Sequence, residues 1–71
     1  MSDLDQDLLA AHAAGDRAAL VSLYTQAADE ATDQDAACFY LTHAYVFALD
    51  CGHTETTVLR QRLVDAGRET G

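Results

Sequence analysis

Three histidines and two cysteines are the side chains of this chain best suited to metal binding or nucleophilic chemistry. Their tightest cluster is Cys51-Gly52-His53, with Asp50 beside it. Thiolate, imidazole and carboxylate groups all bind zinc, but a structural zinc site needs four ligands, and no Cys-x-x-Cys or His-x-x-x-His pair supplies the other half. Cys51 and His53 are therefore weak metal candidates, and we predict no metal or other cofactor within one chain.

A cysteine nucleophile needs a base within hydrogen-bond reach. Cys38 and His43 are five residues apart, and on a helix this spacing turns them about 140° away from each other. Asp3, Asp5 and Asp7 fan out around their helix in the same way, and the sequence has no glycine-rich phosphate loop. We therefore expect that the protein is not an enzyme.

The two cysteines are not expected to pair. If Cys38 and Cys51 share one helix, thirteen residues place them roughly 20 Å apart, beyond the reach of a disulfide. Unpaired cysteines are typical of a reducing compartment. The first residues are acidic where a signal peptide would be basic, and no apolar run reaches the roughly 18 residues of a membrane span. These features predict a cytoplasmic protein.

The charge of the chain is strongly negative. Twelve Asp and Glu face four Arg and no Lys, for a formal charge of −8. Because nucleic acids and anionic membranes attract cationic proteins, the balance argues against DNA, RNA and membrane-surface partners. The negative charge serves either solubility alone or the attraction of a basic protein partner.

The chain is a single domain of 71 residues. A domain of this size buries only about 60% of the surface that its unfolded chain exposes, so we expect it to oligomerise.

The sequence predicts an all-α fold of four helices, at about residues 3–14, 17–31, 35–51 and 55–66. It contains no proline, and no segment alternates like a strand. Short breaks between the helices favour two antiparallel helical hairpins. The predicted N-caps are Ser2, Asp16, Asp33 or Asp35, and Thr54, and the predicted C-terminal glycines are Gly15, Gly52 and Gly67.

The third helix is apolar around most of its circumference, so several neighbours must cover it. Its small residues, Ala37, Ala44 and Ala48, form a strip against which one neighbour can pack closely. We predict that the side of the third helix left uncovered contacts another chain. The alternative is that the fourth helix and the tail cover this side. The predicted interaction surface consists of Phe39, Val46, His43 and Tyr45, with His43 hydrogen-bonded to a carboxylate.

Two helix-turn-helix units in tandem resemble the tetratricopeptide and Sel1-like repeat class. In the first unit, Leu4 and Leu8 stand near apolar positions of the family's leading helix, and Tyr24-Thr25-Gln26-Ala27-Ala28 is similar to the run in its second helix. In the second unit, Phe39, Leu41 and Tyr45 resemble the leading helix again. The resemblance implies a right-handed array of hairpins, or a small bundle, that binds proteins.

These features together predict a small acidic, non-enzymatic protein–protein interaction module that resembles a short tetratricopeptide or Sel1-like protein. We expect its partner to be a protein, possibly a second copy in a homodimer. The alternative is a regulatory protein that binds a metal or small ligand at a site completed across an oligomer interface. Cys51 and His53 would contribute to that site.

Overall fold

A computed structural model of the protein describes residues 3–67. Within this range the chain forms four α-helices and no strand, which confirms the predicted all-α fold. The helices are α1 (Asp3–Ala14), α2 (Arg17–Glu30), α3 (Gln34–Cys51) and α4 (Thr56–Asp65). No observed helix end lies more than one residue from its predicted position.

Aspartates cap the two central helices. The Asp16 Oδ1 atom accepts a hydrogen bond from the backbone N–H of Ala19 at 3.1 Å, and the Asp33 Oδ2 atom accepts one from Ala36 at 3.0 Å. Each carboxylate satisfies a backbone donor that has no partner inside its own helix. The prediction for α2 is confirmed, and Asp33 is the residue that caps α3. Ser2 lies outside the described residues.

The prediction that Thr54 caps α4 is wrong. Glu55 occupies the N-cap position, and its side chain makes no capping hydrogen bond. The His53 Nδ1 atom accepts the backbone N–H of this N-cap residue at 3.0 Å. The carbonyl oxygen of His53 accepts the Thr56 hydroxyl at 2.7 Å. The imidazole therefore shapes the turn between α3 and α4.

Glycines end α1, α3 and α4, as predicted. Gly15, Gly52 and Gly67 have φ angles of 66°, 63° and 78°. This left-handed conformation costs a residue with a β-carbon about 1 kcal/mol or more, and glycine adopts it without that cost. At Gly52 the turned backbone lets the N–H of His53 reach the carbonyl of Ala48 at 2.9 Å, which closes the end of α3.

We expect Asp33→Ala to lower the free energy of unfolding by about 1 kcal/mol, because it removes the cap of α3. For a domain of this size, such a loss lowers Tm by roughly 4–8 °C. Thermal unfolding followed by circular dichroism measures the change. The matched control is Asp7→Ala, on the exposed surface of α1. If both variants lose the same stability, the Asp33 cap contributes nothing specific.

The helices pack into a flattened body. Each helix packs against its neighbours in the sequence, with α2 and α3 sharing the largest contact, and among residues 3–67 α1 does not pack against α4. The Cα atoms span 33 × 28 × 12 Å. The described part of the chain is therefore less than half as thick as it is wide, and large apolar side chains such as Leu9, Phe39 and Val46 remain exposed.

The core lies where α2, α3 and α4 meet. Its fully buried side chains are small or aliphatic, and Val21 and Leu59 are the largest of them. Half-buried tyrosine and phenylalanine rings pack against this core. The core residues are Val21, Ala28, Leu41, Ala44, Ala48, Leu59 and Leu63.

None of the helices in residues 3–67 combines the length and the apolar character needed to cross a membrane.

Candidate functional site

Six aromatic and imidazole rings from three helices form a connected cluster, which we call the ring face. Tyr24 of α2 lies at its centre. The centroid of its ring is 5.2 Å from that of His43, 5.9 Å from that of Phe47 and 6.3 Å from that of Tyr40. The members of the ring face are His12, Tyr24, Phe39, Tyr40, His43 and Phe47.

The helical repeat explains how α3 contributes four of these rings. Positions 39, 40, 43 and 47 fall on one side of a helix with 3.6 residues per turn. The rings of Tyr40 and Phe47 pack against the core and are half-buried, whereas Phe39 is 58% exposed. Phe39 still contacts its neighbours, since its ring centroid is 4.4 Å from His43 and 5.5 Å from Tyr40. The cluster therefore extends from the core to the solvent.

A hydrogen bond links the α1 member of the ring face, His12, to the α2 member, Tyr24. The His12 Nε2 atom and the Tyr24 hydroxyl are 2.8 Å apart, and the imidazole also lies edge-on to Phe47, at 5.8 Å between centroids. The sequence interpretation did not predict this arrangement. It depends on where α1 lies against α2, and no local pattern in the sequence determines that position.

His43 also has a defined hydrogen bond, but its partner differs from the predicted one. Its Nδ1 atom lies 2.9 Å from the backbone carbonyl oxygen of Phe39, one turn earlier on α3. A carbonyl oxygen only accepts, so Nδ1 donates in this hydrogen bond. The expected carboxylate partner is wrong, because the carbonyl at i−4 lies on the same side of the helix and within reach.

The structure brings three of the four predicted surface residues to one side of α3. Phe39 and His43 are in ring contact, and Val46, which is 49% exposed, lines a shallow apolar groove beside His43. The groove has a volume of about 200 Å³ and also includes Thr42 and Phe47.

Tyr45 does not join this surface. It is half-buried and packs against the core. Six residues of helix separate it from Phe39, which turns its side chain about 120° away.

The predicted metal candidates form a local turn. The Cys51 Sγ atom is exposed and lies 3.9 Å from the carbonyl oxygen of Ala48, and the His53 ring accepts the backbone N–H of Glu55. Within residues 3–67, no group of three or more His, Cys, Asp or Glu side chains is placed to hold a metal ion. Cys51 and His53 are thus a partial ligand set.

A second concave surface lies between α2 and α4. This cleft of about 440 Å³ has Val21 and Leu59 among its lining residues. Arg62 of α4 and Asp29 of α2 also line it and form an ion pair at 2.7 Å that links the two helices. Both side chains are more than one-third exposed, so the pair contributes little to stability.

Comparison of the chain with protein-family models, with curated proteins and with solved structures gives no match. The ring face and the cleft are therefore interpreted from the residues of this chain.

Proposed function

We propose that this chain is a small acidic, non-enzymatic protein–protein interaction module that self-associates through the ring face and Val46. The observation that carries the proposal is the exposure of Phe39 and Val46 beside a packed cluster of rings. Exposed apolar surface that borders polar groups is typical of interaction sites, and aromatic residues are enriched where binding energy concentrates.

The exposed apolar side chains give a physical reason for association. Apolar surface that finds no partner within its own chain remains in water. Burial of a whole Val or Phe side chain contributes about 1.5–3 kcal/mol, so covering the exposed half of Phe39 or Val46 contributes about 1 kcal/mol each. A second copy would therefore supply apolar burial that a chain of this size lacks.

We further propose that the helices pack as two antiparallel hairpins in a tetratricopeptide- or Sel1-like array. Three observations support this arrangement. Only Gly15 and Asp16 separate α1 from α2. Arg17, at the start of α2, lies 4.0 Å from Asp50, near the end of α3, while Tyr24 contacts Tyr40 in the middle of both helices. Each helix also packs against its neighbours in the sequence, as consecutive hairpins would.

The same proposal holds that the protein is not an enzyme and that it is located in the cytoplasm. Cys38 is buried inside α3, where a substrate has no access to its thiol. The Nδ1 atom of His43 is already bonded to the Phe39 carbonyl. The unpaired thiols of Cys38 and Cys51 suit the reducing cytoplasm, and the charge of −8 suits a protein partner rather than DNA, RNA or a membrane surface.

The double variant Phe39→Asp, Val46→Asp tests the proposal. We expect it to weaken self-association by about a hundredfold or more, because each unpaired carboxylate buried in an interface costs several kcal/mol. Light scattering during gel filtration, over a range of protein concentrations, measures the mass. Circular dichroism should show that the variant remains helical, because both side chains project into solvent.

Val58→Asp is the matched control. Val58 is 52% exposed on α4, in the cleft between α2 and α4 and not on the ring face. We expect this variant to keep the mass of the unmodified protein. If the unmodified protein is monomeric at every concentration, or if the double variant keeps the larger mass, the proposed self-association is wrong.

A further inference from the structure

The ring face has the chemistry of a cation-binding surface. The face of an aromatic ring attracts positive charge, and the planar guanidinium of arginine stacks on such rings. Four of the six rings are phenylalanine or tyrosine, and Phe39, Tyr40 and Tyr24 follow one another at centroid distances of 5.5 and 6.3 Å. Phe39 is 58% exposed, so its ring offers a position for stacking.

Carboxylates lie at both ends of the ring-bearing side of α3. Asp35 precedes Phe39 by about one turn, and Asp50 follows Val46 by about one turn. The ring face itself contains no arginine. The Nε atom of Arg17 is 4.0 Å from Asp50, and both side chains are more than half exposed. An exposed pair at this distance contributes little, so an incoming arginine can compete for Asp50.

The net charge favours a cationic occupant over a second copy. Two copies of this chain bring together two net charges of −8, whereas a basic segment reduces the charge of the complex. Complementary charge also accelerates encounter and discriminates against wrong partners. We propose that the ring face binds an amphipathic, arginine-bearing segment of another protein. This inference rests on the proposed interaction function and specifies the chemistry of its partner.

The geometry assigns a place to each part of such a segment. Its apolar residues occupy the groove formed by Thr42, His43, Val46 and Phe47. Its arginines stack on the exposed ring of Phe39 and pair with Asp50. Because the same surface mediates the proposed self-association, the bound segment displaces the second copy.

Two synthetic peptides of matched length test this partner chemistry with the full chain. Both are amphipathic helices with leucine on one side, and one carries arginine where the other carries glutamate. We expect titration calorimetry to detect binding of the arginine peptide alone. Nuclear magnetic resonance should locate the shifts at the aromatic resonances of Tyr24, Phe39 and Tyr40, and light scattering should show one peptide per single chain. Binding of both peptides, or shifts confined to the cleft between α2 and α4, overturns the proposal.

Phe39→Leu separates stacking from apolar contact. Leucine keeps an apolar side chain but removes the ring, so we expect affinity for the arginine peptide to fall about fivefold. Self-association, which needs apolar area, should persist in this variant. Equal affinity of the arginine peptide for Phe39→Leu and the unmodified chain overturns the assignment of stacking to Phe39.

Neutralising one aspartate at a time tests whether the peptide responds to a local charge beside the ring face or to the net charge of the chain. Asp50→Asn and Asp65→Asn each remove one negative charge, but Asp65 lies on α4, outside the ring face. Affinity for the arginine peptide should fall at least twofold further for Asp50→Asn. Equal losses mean that the peptide responds to net charge alone, which overturns the proposed site.

The failures of the two proposals are distinguishable. If the chain self-associates through Phe39 and Val46 but does not bind the arginine peptide, the partner chemistry is wrong and the interaction function stands. If the chain is monomeric and also fails to bind the peptide, both proposals are wrong.

Discussion

Replacing Leu59 by alanine is expected to remove about half of the protein's free energy of unfolding. Leu59 is 1% exposed, at the centre of the contact among α2, α3 and α4. Truncation of a buried leucine costs about 2–5 kcal/mol, since the cavity adds to the lost burial. A domain of this length has a total stability of roughly 4–10 kcal/mol. Urea unfolding followed by circular dichroism measures the loss.

Val58→Ala is the control for this experiment, at the adjacent position of α4. Val58 is 52% exposed, so its truncation leaves no cavity. We expect it to change the free energy of unfolding by less than about 1 kcal/mol. Similar midpoints for the two variants would show that α4 does not depend on Leu59 for its packing.

Ala48→Leu should cost stability through the opposite mechanism, overpacking. Ala48 has no exposed surface, and it lies in the cluster where α2 and α4 both pack against α3. A larger side chain at such a position pushes the helices apart, at a cost of about 1–3 kcal/mol or more. The expected result is a lower urea midpoint, together with greater exposure of apolar surface to a hydrophobic dye.

The comparison for this variant is Ala13→Leu, on the exposed surface of α1. Alanine and leucine are both strong helix formers, so the substitution alone changes helix stability little. We therefore expect Ala13→Leu to keep the midpoint of the unmodified protein. If Ala48→Leu is equally well tolerated, the contact surface of α3 has room that the described packing does not provide.

The sequence predicted the helices well because local chemistry determines where they begin and end. An aspartate before an amphipathic run caps the helix that follows, as Asp16 and Asp33 do, and a glycine ends α3 because the chain must turn there. The prediction was wrong at the start of α4. There, the conformation of the preceding turn places Glu55, and not Thr54, at the N-cap, with the His53 ring beside its backbone N–H.

The site was predictable only in part. The angular positions of Phe39 and Val46 follow from the 3.6-residue period, and both side chains are exposed. The same period separates Tyr45 from them, which the sequence interpretation did not take into account. The contact between His12 and Tyr24 joins two helices, and its prediction would require their relative position in space.

The packing of each helix against its sequence neighbours also affects how the chain folds. Contacts in such an arrangement join residues that are near in sequence, so little loop entropy is lost before they form. Helical domains of low contact order fold in microseconds to milliseconds. We expect the larger contact between α2 and α3 to form first, and α1 and α4 to pack against it afterwards. Their backbone amides should then exchange hydrogen with solvent faster than those of α2 and α3.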